Sequence, residues 1–108
     1  MYRFEGLDIE VTGGDSLVFA VRFDGRAVPV GSTAVFTVKK RLRERETVIE
    51  KRYAVADNRV VVALGPGDTA LAPGTYWWDM RVLSANGTEV RTPMAYAAFE
   101  VLEAVGNG

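Results

Sequence analysis

Apolar side chains in this chain recur at every second position, in short stretches closed off by turn-forming residues. Leu17, Phe19, Val21 and Phe23 share one parity, with Val18, Ala20 and Arg22 between them. Ala34, Phe36 and Val38 alternate with Val35, Thr37 and Lys39, and Val60, Val62 and Leu64 repeat the pattern. Tyr76, Trp78, Met80 and Val82 form the longest such series, and Ala97, Phe99 and Val101 alternate with Ala98, Glu100 and Leu102. A period of two puts alternate side chains on opposite faces of a strand, so each stretch can bury only one face. No gap between the stretches is long enough for repeated crossover helices, which argues against an α/β fold.

The punctuation agrees with short antiparallel strands. Turn signals fall at Thr12-Gly13-Gly14-Asp15, Asp24-Gly25, Asp57-Asn58, Gly65-Pro66-Gly67, Pro73-Gly74 and Ser84-Ala85-Asn86-Gly87. Gly and Asn tolerate positive φ, and Pro fixes φ. Asn86-Gly87 is the strongest hairpin signal, because a type I′ turn favours that pair. Arg41 to Arg52 is rich in helix formers, but the β-branched Thr47-Val48-Ile49 favours a hairpin with a charged tip over a helix. Asp68 to Ala72 reads as a single helical turn capped by Asp68 and ended by Pro73-Gly74. The expected fold is an all-β, antiparallel, immunoglobulin-like sandwich of about seven or eight strands. One domain is expected over residues 1–104, with a disordered tail over 105–108.

Composition narrows the chemistry. The 108 residues include no cysteine and no histidine. That removes disulfides, thiolate nucleophiles, the usual general base and the commonest metal ligand. Thirteen basic and 14 acidic residues leave a net charge of −1, with no overall pull toward nucleic acid or anionic membrane. The N-terminus Met1-Tyr2-Arg3-Phe4-Glu5 lacks the apolar stretch of a signal peptide. Apolar runs such as Val60 to Leu64 fall far below the ~20 residues of a membrane helix. The expectation is a chain kept in the cytoplasm unless carried out in an assembly, acting without cofactor or metal.

Most polar motifs have a structural reading. Gly65-Pro66-Gly67 lacks the Gly-Lys-Ser/Thr of a phosphate-binding loop and reads as a turn. Asp15, Asp24, Asp57 and Asp68 sit in turns, where side-chain capping of backbone amides accounts for them, and no calcium-loop spacing is present. The cluster Lys39, Lys40, Arg41, Arg43, Arg45, Lys51 and Arg52 is interrupted by Glu44, Glu46 and Glu50 and lacks interleaved aromatics, so it reads as a solvated hairpin tip. Asn86-Gly87-Thr88 fits the N-glycosylation pattern but reads as a β-turn. Glu50, Asp79 and Glu100 are the carboxylates an enzyme would use, yet nothing indicates that they share a pocket.

Trp77-Trp78 is the exception. Adjacent strand residues point to opposite faces, so one indole enters the core and the other lies outside, under a loop or against a partner. Trp77, Asp79 and Arg81 would share the outer face as one contact surface, since Trp and Arg are enriched in interface hot spots.

The order of features carries a resemblance. Gly14-Asp15-Ser16 leads into the strand Leu17 to Phe23, then Asp24-Gly25, then the strand Thr33 to Lys39. Asp68-Thr69-Ala70-Leu71-Ala72-Pro73-Gly74-Thr75-Tyr76, the strand Trp77 to Leu83, Asn86-Gly87 and a closing Phe99-Glu100-Val101 follow. This run resembles the immunoglobulin-like modules of tailed bacteriophages and prophages, above all the N-terminal domain of baseplate upper proteins and tail-fibre adaptors. The resemblance implies a non-enzymatic structural or adaptor module, held by protein–protein contacts to other phage-type structural proteins, with a homo-oligomer possible and no nucleic acid or membrane partner. Those adaptor domains continue into helical or fibre segments, whereas this sequence stops at Gly108. A carbohydrate-binding sandwich is the alternative, with Trp77 and Tyr2 or Tyr53 as candidate platform residues.

Overall fold

The computed structural model describes residues 2–5, 7–23, 28–91 and 96–103. Nine strands run through them: β1 (Tyr2–Glu5), β2 (Asp8–Thr12), β3 (Leu17–Arg22), β4 (Thr33–Lys39), β5 (Ile49–Ala54), β6 (Arg59–Leu64), β7 (Gly74–Leu83), β8 (Glu89–Arg91) and β9 (Ala97–Leu102). One sheet has the order β1-β2-β9-β7-β4-β5, with β8 also on β7, and β3 pairs β6 in a second sheet. All described pairs are antiparallel except β2 with β9, which is parallel, as when the first and last strands of an immunoglobulin sheet meet. Chain order and pairing place β3, β4, β5, β6, β7 and β9 where the B, C, C′, E, F and G strands of a variable-type immunoglobulin domain lie. The fold is an immunoglobulin-like sandwich. β8 and β9 pair with opposite ends of β7, at Val82–Leu83 and at Gly74–Trp78.

The alternation in the sequence becomes the core. Leu17, Phe36, Val38, Val60, Val62, Leu64, Trp78, Met80, Val82, Phe99 and Val101 are all buried. In antibody domains a disulfide joins the B and F strands over a Trp on strand C. Here an aromatic cluster occupies that region. Phe36 of β4 lies 5.4 Å from Trp78 of β7, and Phe19 of β3 reaches both, 6.0 Å from Phe36 and 5.9 Å from Trp78. The Trp78 indole N–H donates to the Leu7 carbonyl at 3.0 Å, so its polar end is satisfied on burial.

Tyr76 forms the tyrosine corner of the immunoglobulin fold, its hydroxyl donating to the Ala72 carbonyl at 2.8 Å. The turn before it differs from the expected helical turn at Asp68–Ala72. The bonds Asp68 N to Gly65 O and Thr69 N to Gly65 O place the turn at Gly65–Thr69. Asp68 caps backwards, its Oδ2 accepting from Gly65 N at 2.8 Å. Thr69, fully buried, ties this turn to the β2–β3 turn: its hydroxyl donates to Asp15 O at 2.7 Å and accepts from Gly14 N at 3.0 Å. Gly14 itself has φ +87, and Asp15 N donates to Thr12 O, so a residue without Cβ is needed at that corner.

Two hairpin expectations resolve differently. Residues 40–48 join β4 to β5 without a helix, and Val48 N donates to Val38 O at 2.8 Å, so this segment is the hairpin. The type I′ turn is not at Asn86-Gly87. It is at Asp57-Asn58, with φ of 55 and 57 and mutual bonds of 3.0 Å between Ala56 and Arg59. At the other site Gly87 alone has positive φ, Gly87 N donates to Ser84 O and Ser84 N to Thr88 O, which is a three-residue loop with a Gly bulge. The Asp24-Gly25 turn and the 105–108 tail lie outside the described residues.

Candidate interface

The sequence-predicted contact residues Trp77, Asp79 and Arg81 follow one another on the outer face of β7, each half-buried, while Tyr76, Trp78, Met80 and Val82 face the core. The placement holds because β7 runs without a bulge from Gly74 to Val82, so its parity is never reset. The three differ in what surrounds them. Trp77 and Asp79 line a shallow cavity of about 170 Å³ together with Thr37, Lys39, Leu42 and Tyr96. Arg81 lies outside it, opposite the fully buried Val35 of β4. Long arginine stems can cover such an apolar neighbour while the charge stays in water.

Around the cavity the chemistry is apolar at the rim and polar at one wall. Trp77 meets Tyr96 edge-on, with centroids 5.7 Å apart and the planes at 89°. Tyr96 is 52% exposed and Leu42 is 42% exposed. On the neighbouring wall the Thr37 hydroxyl donates to Asp79 Oδ1 at 2.5 Å. Asp79 therefore pairs across strands to β4 and not along β7 to Arg81. Tyr96 and Leu42 carried no signal in the sequence, since each reaches Trp77 only through the tertiary fold.

A larger cavity of about 630 Å³ lies at the opposite end of the sandwich, lined by Arg22, Phe23, Tyr53, Ala54, Ala56, Asp57, Asn58, Arg59 and Val61. The Tyr53 hydroxyl donates to the Ala63 carbonyl at 2.8 Å. Burial pushes its pKa up, outweighing the opposite pull of that hydrogen bond and of Lys51, so the phenol stays a donor. Among the described lining residues, each of the two cavities presents a single carboxylate, Asp79 in the smaller and Asp57 in the larger. Glu50 on β5 and Glu100 on β9 are not among the described lining residues of either; Glu50 is the ladder partner of Thr37 and faces Arg52 at 4.0 Å. Tyr53 is turned toward the core and held by Ala63, whereas Tyr2 is a β1 residue. Among the described residues no group of three Asp or Glu side chains could hold a metal ion, and no helix is long and apolar enough to cross a membrane.

No protein family model matches the chain, and no curated protein matches it. Among solved structures, it is similar to part of a Bacteroides vulgatus protein assigned as a glycoside hydrolase, with a TM-score of 0.53 over 90% of this chain at 11% identity. The chain spans 17% of that protein's length. It is also similar to the natural killer cell receptor NKp44, with a TM-score of 0.46 and 10% identity, over 88% of this chain and 94% of the receptor chain. The first likeness bears on the fold alone.

Proposed function

We propose that this chain is a non-enzymatic interaction module that docks through the outer face of β7, with Trp77 as anchor and Tyr96 and Leu42 as its apolar surround. The observation that supports this reading is the outward Trp77, held edge-on by an exposed Tyr96 on the broad sheet of a rigid sandwich. Aromatic anchors ringed by apolar and polar contacts are where binding energy concentrates. The resemblance to phage baseplate and tail-fibre modules, carried by the residues quoted above, extends the proposal. It makes the partners tail or baseplate structural proteins, with self-association as part of the assembly.

The ring geometry favours a protein partner over a sugar. A stacking platform needs coplanar faces, but Trp77 and Tyr96 stand at 89°, and the cavity beside them is only about 170 Å³.

Co-expression with the products of the flanking genes, followed by size-exclusion chromatography with light scattering, tests the proposal. The wild type should elute in a complex or as a homo-oligomer at micromolar concentration, and Trp77→Ala and Tyr96→Ala should release it as a folded monomer. If both variants leave every assembly unchanged, this face is not the docking surface.

A further inference from the structure

Arg22 ends β3 and Arg59 begins β6, and the two are direct partners in the ladder. Alternation puts both on the outer face of the small sheet, at the end of a row formed by the pairs Val18–Ala63 and Ala20–Val61. Directly opposed residues of an antiparallel pair have Cβ atoms about 4.5–5.5 Å apart, where like charges oppose pairing. Neither guanidinium has a carboxylate partner among the described residues, whose ion pairs join Arg41 to Glu44, Lys51 to Asp68 and Arg52 to Glu50. In a chain with nearly balanced charge, two directly opposed arginines that form no ion pair among the described residues stand out.

Both arginines line the 630 Å³ cavity. Its walls are fixed by one backbone and one side-chain hydrogen bond. Phe23 N donates to Asn58 O at 2.8 Å, and Asn58 Oδ1 accepts from Val28 N at 2.7 Å, which locks the Asp57-Asn58 turn against the β3 end. Phe23, Tyr53 and Val61 give the lining an apolar side, and the Tyr53 hydroxyl is already committed to Ala63. Among the described lining residues Arg22 and Arg59 stand against one carboxylate, Asp57, which leaves an excess of positive charge there.

We propose that this cavity binds a small organic oxyanion, a carboxylate or a phosphate ester carried on an apolar body. Arg22 and Arg59 would hold the anion from two sides, each offering paired N–H donors, while the apolar side receives the body. Bound anion turns the Arg22–Arg59 repulsion into a bridge. The site is separate from the Trp77 face and stands whether or not that face docks a partner.

The test is an amide NMR titration with sodium benzoate and with phenyl phosphate, against sodium chloride at matched ionic strength. Saturable shifts confined to the amides of Arg22, Phe23 and residues 57–61 are expected from at least one of the two anions. Whichever anion saturates identifies the oxyanion class. The double variant Arg22→Gln/Arg59→Gln should weaken binding at least tenfold while raising the thermal midpoint in anion-free buffer, because the repulsion is gone. Arg59→Lys, which keeps the charge and the fold but loses the paired donors, should weaken binding several-fold. Shifts that never saturate and spread over surface lysines and arginines would overturn the proposal, as would a double variant that binds as tightly as the wild type.

Discussion

Phe19 and Trp78 meet edge-on across the sandwich, their ring centroids 5.9 Å apart, where immunoglobulin domains of the antibody type place a disulfide between the same two strands. With no cysteine in the chain, the two sheets are joined here by edge-to-face ring contacts instead of a covalent bond. Phe36 completes the cluster from β4 and is fully buried.

Removing that third ring tests how much of the fold the cluster carries. Phe36→Ala should cost about 3–5 kcal/mol, the range for deleting a buried Phe, and Phe19→Ala less, since Phe19 is only partly buried. Against a total stability of about 5–15 kcal/mol for a domain, the first is a large fraction. Urea denaturation followed by tryptophan fluorescence measures both. Equal losses would show that the rings do not act as a cross-sheet cluster centred on Phe36.

Thr69 joins two turns through one hydroxyl. Thr69→Val keeps the shape but leaves Gly14 N and Asp15 O without it, for an expected loss of about 1–3 kcal/mol. Thr69→Ser keeps the hydroxyl and should recover most of that loss in the same denaturation experiment.

The strands were readable from the residues because burial on one face imposes a period of two. Leu17 to Arg22, Arg59 to Leu64 and Gly74 to Leu83 follow it closely. The turns were less readable. Asn86-Gly87 has the ideal I′ composition, yet the hairpin there is set by the Gly87 bulge, and Asp57-Asn58 takes the I′ geometry because Phe23 and Val28 bond to Asn58 from outside the turn. The docking surface was half visible: strand parity turned Trp77 outward, but the placement of Leu42 and Tyr96 beside it depends on contacts distant in sequence. Thr69 was hidden for the same reason, its partners lying more than 50 residues away.

Asn58→Gly separates local turn preference from that tertiary role. Gly is the better residue for φ of 57, so the turn alone predicts a gain. The variant also removes the Oδ1 acceptor of Val28 N at 2.7 Å. The expected outcome is a net loss of about 1 kcal/mol, the size of one hydrogen bond, read from the thermal midpoint. A stabilised variant would show that the side-chain bond contributes nothing.

Asp68 gives the stability a dependence on acid. Burial alone would raise its carboxyl, but the Gly65 amide and the Lys51 ammonium at 3.1 Å outweigh it and hold the pKa below the usual carboxylate value. A depressed folded pKa adds stability that is present above the unfolded value of about 3.9 and is lost as pH falls through the folded one. Asp68→Asn should therefore flatten the stability profile below about pH 4 and cost about 0.2–1 kcal/mol at neutral pH, as for a partly exposed ion pair. Denaturation midpoints from pH 2 to 7 in both proteins check the sign. An unchanged acid slope in Asp68→Asn would assign the dependence to other carboxylates.

Trp77 and Trp78 are neighbours in sequence and opposites in environment, so each can report on the other face of the sheet. Trp78 is 2% exposed within the aromatic cluster, whereas Trp77 lies on the outer face beside Tyr96. In Trp77→Phe the remaining indole should emit at short wavelength and resist quenching by acrylamide. In Trp78→Phe the remaining indole should emit further to the red and be quenched readily. The energies should divide the same way. Trp78→Ala deletes a buried ring and should cost about 3–5 kcal/mol, enough to unfold a marginal domain. Trp77→Ala removes a half-buried ring from an open sheet face and should cost about 1 kcal/mol, the central value for point variants. Binding should divide in reverse, with Trp77→Ala losing assembly while remaining folded. If Trp77→Ala unfolds the chain as Trp78→Ala does, the outer indole is part of the stabilising framework, and the anchor role passes to Tyr96 and Leu42.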